Sequence, residues 1–423
     1  MRQSLVGTTS ALLILLAAAS TSAQTYHLTD LGTLPGGGTI GAAGINNAGK
    51  IVGFSEINSG SASHAFLYSN GMLKDIGNLG GTFGEAHKIN ARGDIVGDSY
   101  TKGDTASHAF LYSGGKIKDL GTLGGLNSTA QDINARGQIV GWSDQGLDNP
   151  RAFVYTPPSA TPTPAPRHWF LTQLGKHVTN SGRGGAMRDL GTLGGDSSFA
   201  TGINDSGQIV GAADVTNDFG EHAFLYSGGK MHDLGTLPGG NLSFAEDINA
   251  RGQIVGRAAI RGFDESSSHA FLYAGGTMHD LGTLGGTYSD ALAINVHGQV
   301  VGLAATNGGS PLSPHAFIDN GAGLMDLNSL IDGSGTGWTL EIASDINDSG
   351  SIVGEGMTPG GEFHAFLLSP ITKISASAAL RLVAVPEPTS FALGATGVFG
   401  LALFSRRNVR RRGRMPAGKC VIQ

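Results

Sequence analysis

The chain is poor in several things that many proteins of its size use. Its 423 residues include one cysteine, Cys420. A single thiol excludes an intrachain disulfide framework and any cysteine-based zinc site. Asp, Glu, Lys and Arg together make up 14% of the sequence, well below the usual ~25%. Proline is also scarce, at 15 residues, and 40% of the chain is hydrophobic. That composition excludes collagen and a highly charged disordered chain. No GxSxG, HExxH or Walker motif is present. Glycine is abundant instead, with 69 residues, roughly twice the usual share. Many glycines mean many turns, and many turns mean many short strands.

The two ends read as addresses. Residues 1–23 have the three parts of a secretory signal: Arg2, an apolar core from Leu12 to Ala19, and the small residues Thr21-Ser22-Ala23 before a cut at Ala23/Gln24. At the other end, Pro386-Glu387-Pro388 is followed by the uncharged stretch Thr389 to Ser405 and then by an Arg-rich tail opening with Arg406 and Arg407. The stretch 389–405 is at the short limit for a transmembrane helix. The arginines would keep the tail on the cytoplasmic side. Cys420 would then lie in a reducing compartment, and the exported body would have no thiol to oxidise.

This three-part end resembles the PEP-CTERM sorting signal of Gram-negative bacteria over residues 385–414, with 415–423 as an additional tail. The resemblance implies processing by an exosortase-type membrane protease. It also implies export across the inner membrane, transient anchoring through the C-terminal helix, and release to the cell surface or beyond. Carriers of this signal occur in bacteria that make exopolysaccharide. With Arg2, the seven tail cations and Glu387 set aside, residues 24–385 hold 19 basic and 32 acidic residues, a net charge of −13. Such a body is a poor partner for nucleic acid or anionic lipid.

The middle of the chain is a repeat. An Ile-Asn…Gly-x-Ile/Val-Val-Gly motif places its asparagine at Asn46, Asn90, Asn134, Asn204, Asn249, Asn295 and Asn347. His-Ala-Phe follows at His64, His108, His222, His269, His315 and His364, with Arg151 once in place of histidine. Asp-Leu-Gly or a near variant follows at Asp30, Asp75, Asp119, Asp189, Asp233, Asp280 and Asp326. Each unit reads as four short strands. Asn-Ala-Arg-Gly and its equivalents predict a type I turn with a G1 bulge, and Gly-Gly predicts a two-residue hairpin.

Units of this kind are blade-sized. The mature chain opens on a fourth strand, residues 25–32, and the array ends on a third strand, residues 364–369. Pairing these ends would complete a last blade and remove two open edges. The expectation is an all-β, seven-bladed β-propeller over residues 24–370. An insertion spans 156–186 and a linker spans 371–384; a β-solenoid is the alternative. The repeat resembles the HAF repeat, named for His-Ala-Phe, an extracellular repeat whose name implies location rather than chemistry.

The six repeated histidines and the repeated aspartates are expected to make one structural hydrogen bond per blade, since equivalent positions around a large ring do not converge on a metal. Asp345 to Gly350 resembles a calcium loop only faintly and fits the repeat's own turn. No metal, cofactor or catalytic residue is assigned. Units differ most in the link between their second and third strands. Those links carry the candidate ligand-face residues Asp104, Asp148, Asp218, Glu221, Asp264, Glu265 and Glu362. The resulting expectation is a non-enzymatic propeller that binds exopolysaccharide or surface proteins. A carbohydrate-active hydrolase or lyase and a purely structural biofilm-matrix protein are the alternatives.

Overall fold

The computed structural model describes residues 24–146, 149–158, 185–216, 220–307 and 314–371, together with the backbone of 178–179. It divides into a unit ending at Ile371 and a second from Thr372 to Gln423, and the second lies outside the described residues. So do the signal 1–23, most of the insertion, and the sorting residues Pro386, Glu387, Pro388, Arg406 and Arg407. Among the described residues no helix is long and apolar enough to cross a membrane, and segment 389–405 is not among them.

The described fold is all-β and built from antiparallel four-stranded meanders. Four sheets have four strands and one has five, its extra strand being Val178–Thr179 beside Ala186–Asp189. An eight-stranded sheet consists of two meanders joined by one parallel contact, Ser63 to Phe83. The innermost strands are Ile40–Ile45, Gly80–Ile89, Ser128–Ile133, Gly194–Ile203, Ser243–Ile248, Gly285–Ile294 and Thr339–Ile346. We number the units 1 to 7 in that order. Unit 7 takes its outer strand from the other end of the chain, because Thr25–Asp30 pairs antiparallel with Phe363–Ile371.

The turn after each inner strand has a physical logic that repeats. In unit 5, Asn249 Oδ1 accepts from the backbone N–H of Arg251 and of Gln253, at 3.0 and 3.1 Å. Gly252 sits at φ +76° and donates its N–H to the Asn249 carbonyl. The asparagine thus closes its own turn, and the glycine takes a left-handed conformation that costs other residues energy. The remaining donor, Nδ2, reaches the carbonyl of the equivalent asparagine in the next unit, here Asn295 at 3.0 Å. The same bond runs from Asn46 to Asn90, Asn90 to Asn134, Asn134 to Asn204, Asn204 to Asn249, and Asn295 to Asn347. It returns to its start when Asn347 donates to Asn46 at 3.2 Å. Seven asparagines therefore form a closed cycle.

Packing follows the same order. The phenylalanine of every His-Ala-Phe triplet, from Phe66 to Phe366, is fully buried. Each hydrophobic cluster combines small and branched residues of one unit with the next unit's phenylalanine. Val96 and Ala109, for example, pack with Ala130, Ile139 and Phe153, and Val353 and Ala365 with Ile40 and Phe66. Burying one such side chain contributes about 1.5–3 kcal/mol. The core is thus a set of interfaces between neighbours. The glycine of each Ile-Val-Gly lets two strands approach closely: a Cβ on Gly141 would collide with the Thr129 carbonyl, and one on Gly256 with that of Phe244.

Close to the asparagine cycle, three aspartates tie units together. Asp132 accepts from Ile133 and from Ile203 of the next unit, Asp247 from Ile248 and Ile294, and Asp345 from Ile346 and Ile45. Lys88 pairs with Asp345 at 2.9 Å. Burial works against the lysine charge, but the fields of Asp345, Asp247 and Asp132 outweigh it and raise its pKa. Burial pushes the Asp132 carboxyl up to about 7 despite Lys88.

Replacing Asn249 by alanine removes the acceptor of two turn N–H groups and the donor to Asn295. At about 1–3 kcal/mol per group left buried and unpaired, the expected loss is about 2–4 kcal/mol. Thermal unfolding followed by circular dichroism should show a Tm lowered by several degrees for Asn249→Ala and for Gly141→Ala. Asp205→Asn, on an exposed turn, should leave Tm unchanged.

Candidate functional site

The repeated histidines pair with the repeated aspartates. His64 Nδ1 lies 2.7 Å from Asp75, His108 2.9 Å from Asp119, and His222 3.0 Å from Asp233. His269 lies 2.9 Å from Asp280, His315 2.7 Å from Asp326, and His364 3.0 Å from Asp30. Arg151 replaces the imidazole and reaches Asp189 at 3.4 Å. The same aspartates accept from the backbone two residues on, as Asp119 does from Gly121 at 2.7 Å. Each pair joins a third strand to an outer strand and fixes the start of the crossing to the next unit. In unit 7 the pair spans the two ends of the array.

The variable links and the crossings lie at one end of the units. Short bridges join Leu79 to Thr101, Leu193 to Val215, Gly240 to Gly262 and Leu284 to Thr306. Asp104, in the unit 2 link at φ +55°, accepts from the Thr82 N–H and hydroxyl. Asp264 caps a single helical turn, Glu265–Ser267, by accepting from Ser266, and these bonds lower its pKa. Asp104 therefore ties its link to the inner strand, and Asp264 shapes its own link. Glu362 is exposed beside His364, 3.8 Å away. Asp148 and Asp218 lie outside the described residues. Glu221 and Glu265 are brought together.

Glu221 and Glu265 line a cavity of about 370 Å³ with Phe199, Thr201, Ala212, Phe244, Ala245, Glu246 and Arg257. Most of this wall comes from inner-strand positions rather than from loops. All seven inner strands carry a one-residue bulge, at Ala43, His87, Gln131, Thr201, Glu246, Leu292 and Ser344. A bulge re-aims a side chain and often marks a functional rim. No two of the seven residues are alike, although the strands around them are nearly the same. The residue after Ile/Val-Val-Gly varies in the same way: Phe54, Asp98, Trp142, Ala212, Arg257, Leu303 and Glu355.

Arg257 organises the cavity wall. Its guanidinium bonds Glu246 at 3.1 Å and Asp290 at 2.9 Å, and its carbon lies 4.3 Å from the Phe244 ring centre. One cation thus serves two buried carboxylates. Burial and the charge of Asp290 push Glu246 up to about 8 against the pull of Arg257, and burial raises Asp290 as well. Glu221 is raised by burial and then by Asp214 and Glu265. Beside the cavity, Phe199 meets Trp142 edge to face, with ring centres 5.9 Å apart.

A second group forms where unit 7 leans over unit 1. Gly41 has no side chain to obstruct Glu355. Burial pushes Glu355 up to about 7, helped by Glu85 and Glu341. His87 Nε2 is 2.8 Å from Asp98, which also accepts from Ser107 at 2.7 Å. Burial opposes the His87 charge, but the bond to Asp98 and the carboxylates of Glu85 and Asp98 outweigh it and raise the pKa.

Sequence reasoning, which favours the variable loops, misses these inner-strand residues. Their signal is present as two positions that change identity within otherwise repeated strands. Exposed apolar groups add to the same end of the units. Of the large hydrophobic side chains exposed among the described residues, Tyr100, Leu126, Phe263 and Phe363 lie in or beside links and crossings, and Met72 does not.

Residues 384–408 match the family model described as the PEP-CTERM protein-sorting motif. The motif is recognised by exosortase, a membrane protein, and implies export and membrane-anchored sorting in Gram-negative bacteria. No curated protein matches the chain in sequence. Among solved structures, TolB from Acinetobacter baumannii is similar at 12% identity, over 76% of this chain and 63% of that one, with a TM-score of 0.40. A gluconolactonase from Xanthomonas campestris is similar at 10% identity, over 82% and 90%, with a TM-score of 0.38. An acylaminoacyl peptidase from Pyrococcus horikoshii is similar at 10% identity, over 81% and 54%, with a TM-score of 0.46. The chain thus spans less than two thirds of TolB and of the peptidase, and likenesses this weak carry no argument about activity.

Glu246 and Glu355 have higher pKa values in the folded chain, about 8 and about 7, than their ordinary 4.5. An acid shifted upward favours the folded state fully below its unfolded pKa and loses that contribution as pH rises through the folded value. The Tm should therefore fall as pH rises from about 5 to about 8.5. The double variant Glu246→Gln, Glu355→Gln should show a visibly shallower fall over the same window in a thermal-shift pH series.

Proposed function

We propose that the exported body is a HAF-repeat protein folded as a closed seven-bladed β-propeller, and that it works as a non-enzymatic binding module for glycan at the cell surface. The closed asparagine cycle and the pairing of Thr25–Asp30 with Phe363–Ile371 support the closed ring. The PEP-CTERM match supports the location. The observation that carries the binding reading is the grouping at one end. Exposed aromatic side chains and a cavity with ring surface, a hydroxyl and carboxylates occur there together. Apolar ring faces beside a few placed polar groups are what sugar rings need.

A carbohydrate-active enzyme is the second reading. Glu221, Glu246 and Glu265 line one cavity, and Glu246, with its pKa near 8, would hold a proton at neutral pH as a general acid must.

Purified protein mixed with the producing organism's exopolysaccharide separates these readings. Co-sedimentation without release of reducing ends is expected. Release that disappears in Glu246→Gln would replace the binding module by an enzyme, and the absence of both signals would count against a glycan role. Deleting Pro386-Glu387-Pro388 should leave the chain unprocessed in the membrane fraction on an immunoblot. Normal processing would sink the exosortase assignment.

A further inference from the structure

We propose that the cavity takes a sugar residue bearing a free amino group, with the ammonium held between Glu221 and Glu265 and the ring lying against Phe199 and Thr201. This rests on the reading of the protein as a glycan-binding module and names the class of glycan.

Among the described residues, Arg257 is the sole cation in the cavity lining, and it is already bonded to Glu246 of the wall at 3.1 Å and to Asp290, outside that lining, at 2.9 Å. Its face is occupied by the Phe244 ring. Arg257 still lowers the Glu221 pKa, but less than burial and the neighbouring carboxylates raise it. Those carboxylates are Asp214 and Glu265. The network also holds an unused acceptor. Asp290 is 3% exposed, and its Oδ1 is buried without a hydrogen-bond partner. With Glu221 and Glu265 repelling each other in its lining, the cavity favours a cationic guest and rejects an anionic one.

Shape and coordination narrow the guest further. Among the described residues no three carboxylate or imidazole groups converge closely enough to hold a metal ion. A monovalent ammonium, bonded by separate carboxylates, suits this arrangement better than a divalent ion. At about 370 Å³, the volume is at the small end of the ~300–1,000 Å³ typical of ligand pockets, which suits a ring-sized group. A lysine side chain would bring the ammonium but no ring to cover Phe199 and Thr201. The neutral Glu246 carboxyl can donate as well as accept, which suits a hydroxyl-bearing ring.

Titration calorimetry at pH 6 with glucosamine oligomers, N-acetylglucosamine oligomers, oligogalacturonate and a poly-lysine peptide tests this. The free-amine oligomer should bind at least about tenfold more tightly than the acetylated one, and oligogalacturonate should not bind. Glu221→Gln with Glu265→Gln should abolish that preference, while Asp205→Asn, on a remote turn, should keep it. Equal or tighter binding of the acetylated oligomer would overturn the amino-group assignment and leave the glycan reading intact. A preference that survives Glu221→Gln with Glu265→Gln would overturn the site, and poly-lysine as the tightest ligand would move the assignment to a basic peptide. Binding of none of the sugars by protein with an unchanged Tm would overturn both this inference and the glycan reading.

Discussion

The asparagine amide at the end of each inner strand is the contact on which the rest depends. Its oxygen closes the local turn, and its nitrogen reaches the carbonyl of the equivalent residue in the next unit. The side chain that makes a hairpin therefore also sets the spacing between hairpins. No other polar side chain of this size offers one acceptor with two lone pairs and two donors in a fixed plane. Aspartate would lose the donor and leave the neighbouring carbonyl unpaired. Glutamine would move the amide one methylene away from the turn.

Stability is local in consequence. Each hydrophobic cluster belongs to two adjacent units, and no cluster spans the whole cycle. A closed array of nearest-neighbour interfaces has no end unit with an uncovered face, which open arrays must cap. The closing role falls to the shared unit 7, where His364 bonds to Asp30 across 334 residues of sequence. Five of the six other pairs join residues 11 apart and Arg151–Asp189 joins residues 38 apart, so one repeated contact serves as a strap within most units and as a clasp in one.

Most of this framework was legible in the sequence because it is written in repetition. Asn-x-x-Gly makes a turn, Ile-Val-Gly allows a close strand approach, and His-Ala-Phe buries a ring against the preceding unit. Strand pairing between the chain ends was legible from phase alone. The site was much less so. Glu221 and Glu265 were visible as acids in a variable link. Glu246, Arg257 and Asp290 were hidden inside strands, where variation looks like noise until a bulge at Glu246 brings its carboxyl to the Arg257 guanidinium, which also holds Asp290. Asp104 and Asp264 looked equally free in the sequence, but Asp104 spends its oxygens on Thr82 of the inner strand and Asp264 on its own loop, and hydrogen bonding of that kind is invisible to composition.

The three aspartates and the lysine beside the asparagine cycle pose a question of parity. Asp132, Asp247 and Asp345 belong to units 3, 5 and 7, and each ties its own unit to the following one. Such an alternation runs evenly only around an even-numbered cycle. The asparagine cycle has seven members, so the alternation must fail once, and it does so where units 1 and 2 adjoin without an aspartate. Lys88 belongs to unit 2 and reaches back past unit 1 to Asp345. This cation therefore stands at the seam that an odd cycle cannot avoid. A chain that gained or lost one repeat could keep every turn and every buried phenylalanine, yet it would have no seam for that charge to fill. The number of repeats is thus marked in one side chain as well as in the length of the array.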